Sequence, residues 1–187
     1  EQLEALYTFW NTQINVISRK DTENFYIHHA LHSLGIAKVQ EFEKGTYILD
    51  VGTGGGFPGI VMAAIALEKS PETQFTLIES DQRKAAFLRT AVRELSLNAT
   101  VIADRVELTE PQGADIISAR ALSALTELFP HIVRHSAPNG IAILPKGKLH
   151  LQEIQQAKEE WRFDVETHPS MTDSQASILV VKDIYRD

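Results

Sequence analysis

A glycine-rich segment that follows an apolar run is the strongest chemical signal in the sequence. The run at 47–51 contains Asp50, and glycine then occupies four of the next five positions. Glycine has no Cβ and tolerates positive φ, so such a loop lets a ligand lie against bare backbone. The pattern predicts a strand, a tight turn and a helix start, with a cofactor at the turn. A glycine turn that holds no ligand is the alternative interpretation.

The spacing of these glycines distinguishes between two cofactor classes. The dinucleotide fingerprint G-x-G-x-x-G requires a third glycine, but counting from Gly52 and Gly54 that place is taken by Phe57. What remains is D-x-G-x-G-x-G, beginning at Asp50, which is typical of S-adenosylmethionine-dependent methyltransferases. Gly52 and Gly54 are therefore predicted cofactor contacts, and a nicotinamide oxidoreductase is disfavoured.

Two charged residues lie where further ligand contacts are expected. Glu79 ends a second apolar run, at a distance from the glycines similar to that of the acidic ribose ligand in dinucleotide folds. Arg120 follows a later apolar run, and its guanidinium suits a phosphate, a cofactor carboxylate or a guanine edge. We predict that Glu79 binds the ribose and that Arg120 binds the cofactor or substrate. The alternatives are a solvated strand-end carboxylate and a surface arginine covering the next helix.

Alternating strand and helix patterns must position these residues. They predict an α/β fold: a Rossmann-like, class I methyltransferase sheet of seven mostly parallel strands with one antiparallel strand, preceded by N-terminal helices. We expect a single domain over 1–187, with a helical segment at 1–45 and the cofactor-binding core at 46–187. Strands are predicted at 47–51, 74–79, 99–103, 114–118, 140–145, 163–166 and 177–181, and helices at 3–17, 22–34, 58–68, 81–95, 121–136 and 149–160.

Composition narrows the class of protein. The chain has 187 residues, of which 43% are hydrophobic and 23% charged, as in ordinary globular domains. It has no cysteine and no apolar stretch approaching the roughly 20 residues that span a bilayer, so we expect a cytoplasmic protein with no membrane association. The net charge of -7 argues against broad nonspecific affinity for nucleic acid, so RNA binding would need a local basic surface.

Several motifs along the chain resemble one family. The sequence is similar to the bacterial 16S rRNA guanine-N7 methyltransferase G family, also called glucose-inhibited division protein B. The Phe-Pro-Gly that follows the glycines is the most distinctive of these motifs. The matching segments are 15–21 (NVISRKD), 27–34 (IHHALHSL), 50–59 (DVGTGGGFPG), 103–107 (ADRVE), 117–125 (ISARALSAL) and 144–147 (LPKG).

The resemblance implies methyl transfer from S-adenosylmethionine to N7 of a guanine in 16S rRNA (a guanine 527 type position, in the 530 loop). The cofactor contacts that it implies are Gly52, Phe57, Val106, Glu107 and Arg120. The alternative interpretation of Val106 is core packing. Glu107 could equally be solvated. Guanine N7 has a lone pair and no proton, so no general base is needed. We therefore assign no catalytic residue.

Candidate RNA contacts are Arg19, His29, Arg120 and Lys146. His28 and His32 depart from the family pattern, and their separation of four residues is a zinc-ligand spacing. The glutamate of the metalloprotease pattern is replaced by His29 and no third ligand is apparent, so we expect no metal. Lys146 suits a phosphate, although a solvated loop lysine is as reasonable. Arg89 and Arg93 are four residues apart, which is typical of a solvated helix face.

We expect 16S rRNA or the small ribosomal subunit as the partner, and a monomeric enzyme. Another RNA or small-molecule acceptor, or a non-catalytic protein that binds adenosylmethionine or RNA, is the alternative. Pro145 also departs from the family pattern, and proline predicts that its strand ends at Leu144.

Overall fold

A seven-stranded sheet forms the centre of the protein. The computed structural model describes residues 2–17, 31–39, 45–120 and 122–186. The strands are β1 Tyr47–Val51, β2 Gln74–Ile78, β3 Ala99–Ile102, β4 Ala114–Ser118, β5 Ser136–Lys146, β6 Trp161–Pro169 and β7 Ser177–Arg186. Their order in the sheet is β3-β2-β1-β4-β5-β7-β6, and β7 runs opposite to the other six strands. This agrees with the predicted mostly parallel sheet.

Helices cover both faces of this sheet. The described helices are α1 Gln2–Asn11, α2 His32–Val39, α3 Gly59–Lys69, α4 Gln82–Glu94, α5 Leu125–His135 and α6 His150–Ala157. One core packs α1 to α4 against one face, around Tyr7, Ile60 and Phe87. The other packs α5 and α6 against the opposite face, around Phe129 and Ile154. In the described part of the chain, no helix is long and apolar enough to cross a membrane.

The first helix is shorter than its apolar spacing predicts. It ends at Asn11, whose side-chain oxygen accepts hydrogen bonds from the backbone N–H groups of Val16 and Ile17. Its amide also donates to the Ile17 carbonyl at 3.0 Å. The side chain thus replaces helical backbone bonds with a local turn. Val16 and Ile17 are consequently buried outside any helix. Residues 22–30 of the predicted second helix lie outside the described residues. Its described end does not stop at 34, because a helix runs over His32–Val39.

The prediction that the fifth strand ends at Leu144 is wrong. Pro145 pairs with Ile178 of β7, and β5 continues to Lys146. On its other side β5 pairs with β4 only as far as Ile143. Proline therefore lies beyond the last β4 partner, where its lack of an N–H breaks no ladder between those two strands.

The strand order fixes where a ligand is expected. From β1 the connections run outward to β2 and β3, and the chain then returns to β4 on the other side of β1. The connections therefore change direction between β1 and β4. Open α/β sheets bind ligands at such a switch point, outside the carboxyl ends of the strands. The segments after β1, β2 and β4, which carry the glycines, Glu79 and Arg120, meet at this edge.

Candidate cofactor and RNA site

Asp50 joins three parts of the switch point. It is fully buried at the end of β1. Its Oδ2 accepts hydrogen bonds from Thr53 Oγ1 at 2.5 Å and from the Gly59 N–H at 2.9 Å. Its Oδ1 accepts one from Ser118 Oγ at 2.8 Å. The aspartate therefore fixes the glycine loop, the start of α3 and the end of β4 relative to one another.

Burial changes the acid–base behaviour of this carboxyl. Loss of water raises the pKa of Asp50 from 3.8 to about 6, although its hydrogen bonds and the nearby Arg120 guanidinium favour the charged form. The carboxylate is thus held at a free-energy cost at neutral pH. Its hydrogen bonds to Thr53, Gly59 and Ser118 identify Asp50 as a residue that organises the loop, in agreement with its sequence position before the glycines.

The glycine loop is closely packed from the protein side. A Cβ on Gly55 would lie 3.0 Å from the Val16 carbonyl oxygen, and one on Gly59 would lie 2.3 Å from Leu77 Cδ2 and 2.7 Å from Asp50 Oδ2. Only glycine permits these approaches without displacement of the neighbours. Gly55 and Gly59 are therefore needed for the loop to pack against the N-terminal segment and β2.

Two aromatic rings lie beneath Arg120. The Phe57 ring stacks on Tyr7, with centroids 4.9 Å apart, and Arg120 Cζ lies 5.7 Å from the Phe57 centroid. The Tyr7 hydroxyl donates to the Gly55 carbonyl, and burial raises the pKa of Tyr7 above its usual value. Phe57, a predicted cofactor contact, is 3% exposed. In this arrangement it supports the arginine and packs against α1.

Glu79 contacts the glycine loop directly. Its Oε2 accepts a hydrogen bond from the Gly54 N–H at 2.8 Å, and its Oε1 accepts one from the Asp81 N–H at 2.7 Å. Each carboxylate oxygen has a further acceptor site, so hydroxyl groups of a ligand can still bind. The structure thus brings the predicted ribose ligand to the predicted cofactor loop.

The turn after β3 carries Val106 and Glu107. Val106 is half-buried, and its carbonyl lies 3.1 Å from Nε2 of the fully buried His135. Glu107 is exposed and forms an ion pair with Arg105 at 3.3 Å. Its pKa is lowered, first by a hydrogen bond from its own backbone N–H and then by Arg105. The end of α5 therefore holds this turn at the carboxyl edge of the sheet.

Lys146 lies at the end of β5. Its side chain is only 9% exposed, and its Nζ donates to Glu153 Oε2 at 2.8 Å and to the Ser123 carbonyl at 2.7 Å. A phosphate contact would therefore have to use its third N–H or break these bonds. The contact between Lys146 and a phosphate therefore stays a prediction.

The predicted site residues fall into four groups. Gly52, Gly54, Phe57, Glu79 and Arg120 meet at the switch point. Val106 and Glu107 lie on the neighbouring turn after β3, while Lys146 reaches the segment after Arg120. Arg19 and His29 lie outside the described residues, as does His28, and the side chain of His32 is not described.

Sequence reasoning missed several residues that shape the site. They are Tyr7, Thr53, Ser118, His135 and Glu153. Tyr7 gives a usable signal, because it is spaced as i+4 from Leu3 and i−3 from Trp10 on the apolar face of α1. The partners of the others are distant in the chain or depend on loop geometry, so no local pattern points to them.

Comparison with known proteins identifies the family. A family model described as GidB, rRNA small subunit methyltransferase G, matches residues 1–180. Proteins named ribosomal RNA small subunit methyltransferase G are similar over nearly the whole chain. One from Cereibacter sphaeroides is 49% identical over 182 residues, 97% of this chain and 87% of its own length. One from Acidiphilium cryptum is 40% identical over 189 residues, 100% of this chain and 84% of its own length.

Solved structures establish the fold independently. A SAM dependent methyltransferase from Aquifex aeolicus superposes with a TM-score of 0.62 at 14% identity, covering 82% of this chain and 89% of its own. TYW2 from M. jannaschii, solved with AdoMet, gives 0.59 at 13% identity, with 94% and 79% covered. The predicted class I methyltransferase fold is confirmed. With the match over residues 1–180, the chain belongs to the rRNA small subunit methyltransferase G family.

Proposed function

We propose that this enzyme transfers a methyl group from S-adenosylmethionine to N7 of a guanine in the 530 loop of 16S rRNA. The observation that carries the proposal is the convergence of the glycine loop, Glu79 and Arg120 at one edge of the sheet. Family membership supplies the rRNA substrate class. The choice of guanine and of N7 rests on the motif resemblance.

The residues at the switch point suit this cofactor. Glu79 keeps acceptor sites for the two ribose hydroxyls, and the backbone of Gly52 and Gly54 lines the loop beside it. Val106 and Glu107, on the turn after β3, are the proposed contacts of the adenine end. Arg120 offers a guanidinium to the cofactor carboxylate or to the guanine edge.

The chemistry places few demands on the protein. When bound, S-adenosylmethionine supplies a sulfonium-activated methyl group that the N7 lone pair can attack. N7 carries no proton to remove, so the side chains have to orient the reactants and exclude water. Arg120 is held by the Phe57 ring and lies near Asp50, which suits an orienting residue.

The remaining expectations belong to the same proposal. The substrate is the small ribosomal subunit or its free 16S rRNA, and the enzyme acts in the cytoplasm as a monomer. Residues 1–187 form one domain, and the stacking of Tyr7 on Phe57 supports the packing of the N-terminal segment on the core. Arg19 is retained as an RNA contact for its positive charge, and His29 because it aligns with a histidine of the family.

A labelling experiment tests the proposal. Small subunits and free 16S rRNA from a bacterium that lacks its own enzyme are incubated with methyl-labelled cofactor and the wild-type protein, Arg120→Ala or Arg89→Ala. Arg89 is exposed on α4 and serves as the matched control. We expect label with the wild type and Arg89→Ala, and at least about a tenfold loss with Arg120→Ala. Cofactor binding by calorimetry without label on either RNA would refute the rRNA substrate.

A further inference from the structure

Lys146 and Glu153 connect three elements of the fold. Lys146 is the last residue of β5, and Glu153 lies one turn into α6. The ammonium bridges the Glu153 carboxylate and the Ser123 carbonyl at 2.8 and 2.7 Å. The side chains are 9% and 25% exposed, so the pair is better shielded from water than a surface ion pair.

Ser123 belongs to the segment between β4 and α5. Residues 119–120 and 122–124 of this segment are described, and we call them the β4–α5 segment. Arg120 of the segment lies over the Phe57 ring. Leu122 lies over the glycine loop so closely that a Cβ on Gly52 would be 2.6 Å from Leu122 Cδ1. One segment thus presents both a predicted cofactor contact and a cover for the loop.

We propose that Lys146 and Glu153 form a latch that positions the β4–α5 segment for the reaction. The bond to the Ser123 carbonyl fixes the segment three residues after Arg120, and Glu153 fixes the Lys146 ammonium. A hydrogen bond from a charged donor is stronger and more directional than a neutral one. Lys146 is accordingly a positioning residue, and Glu153 acts through it. This inference deepens the proposed function and rests on it where turnover is measured.

The latch and a phosphate contact by Lys146 make opposite predictions for Glu153. If Lys146 binds phosphate, removing the Glu153 charge frees the ammonium and leaves RNA affinity equal or higher. If Lys146 latches the segment, Glu153→Gln impairs the enzyme in the same way as Lys146→Met. The salt dependence of RNA binding separates the two further, because each lost phosphate contact lowers the slope of log K against log salt by about one.

The experiment compares Lys146→Met, Glu153→Gln, the double variant and Lys148→Met, an exposed neighbour that serves as control. Affinity for S-adenosylmethionine is measured by calorimetry, and RNA affinity is measured at several salt concentrations. The kcat is measured with saturating substrates, at a temperature where urea unfolding shows that every variant is folded. We expect each single latch variant to lose about tenfold in kcat or cofactor affinity, the double variant to lose no more, and the salt slope to stay unchanged.

Two results would overturn the latch. One is a lower salt slope for Lys146→Met together with normal turnover of Glu153→Gln. The other is wild-type kcat and cofactor affinity in all folded latch variants, which would limit the pair to general stability. If the wild type itself transfers no methyl group, the proposed rRNA reaction fails, while the cofactor affinities of the four variants, compared with that of the wild type, still test the latch.

Discussion

Replacing Asp50 by asparagine removes a titrating group from the centre of the site and preserves its shape. The amide oxygen can take the place of Oδ2 and accept from Thr53 and Gly59. The amide nitrogen then donates to the Ser118 hydroxyl, which rotates to accept. We therefore expect Asp50→Asn to fold, with its main effect on how stability depends on pH.

The magnitude follows from the shift in pKa. Asp50 moves from 3.8 to about 6 on folding, and one pKa unit corresponds to about 1.4 kcal/mol, so the whole effect is about 3 kcal/mol. The folded state binds the proton more tightly than the unfolded state. This residue therefore contributes stability when protonated, below about pH 4, and that contribution is lost as the pH rises through about 6.

Urea unfolding of both proteins at about pH 7 and about pH 4.5 measures this effect. We expect the free energy of unfolding of the wild type, relative to that of Asp50→Asn, to be about 2 kcal/mol higher at the lower pH. At that pH Asp50 is largely protonated in the folded state. Other titrating groups are common to both proteins and cancel. A difference that stays the same at the two pH values would refute the assignment of a raised pKa to this carboxyl.

Three further substitutions test the packing and the ligand contacts. Gly59→Ala places a Cβ against Leu77, so unfolding should need about 1–3 kcal/mol less free energy in urea; wild-type stability would contradict the close packing. Glu79→Gln leaves one backbone N–H without its acceptor and should weaken S-adenosylmethionine binding about tenfold by calorimetry; unchanged affinity would remove Glu79 from the site. Tyr7→Phe keeps the ring stack but loses the bond to the Gly55 carbonyl, so urea unfolding should show a loss of about 1 kcal/mol, and a neutral result would discount that bond.

The sheet and the centre of the site could be predicted because their signals are local. Apolar runs ending in Asp50 and Glu79 mark buried parallel strands, and the glycines mark the turn between strand and helix. Arg120 follows a run of the same kind. Parallel strands bring their carboxyl ends to one edge, so residues distant in the sequence meet without any long-range pattern in it.

Other features depend on partners that no local pattern reveals. The apolar spacing of the first helix continues to Ile17, yet the Asn11 side chain ends the helix by bonding the following backbone. Pro145 is compatible with its strand because β4 stops opposite Ile143. The turn at Asn11 is a local competition between its side chain and the helix. The place of Pro145 is set by tertiary context that overrides a valid local preference.

Lys146 shows the same limit for a predicted site residue. As a sequence feature it is a cation at a strand end, which fits a phosphate contact as well as a solvated loop. The structure adds its two acceptors, Glu153 and the Ser123 carbonyl. Because one acceptor is a backbone carbonyl far away in the chain, residue type and spacing could not have indicated it.

Mapping the methylated atom tests the central claim most directly. 16S rRNA from subunits treated with the wild-type protein is reduced and then cleaved with aniline, a treatment that breaks the chain at N7-methylguanine, and the breaks are located by primer extension. We expect one cofactor-dependent stop, at a guanine of the 530 loop, that is at least about tenfold weaker after treatment with Arg120→Ala. Methyl label in the RNA without such a stop, or a stop elsewhere, would contradict it.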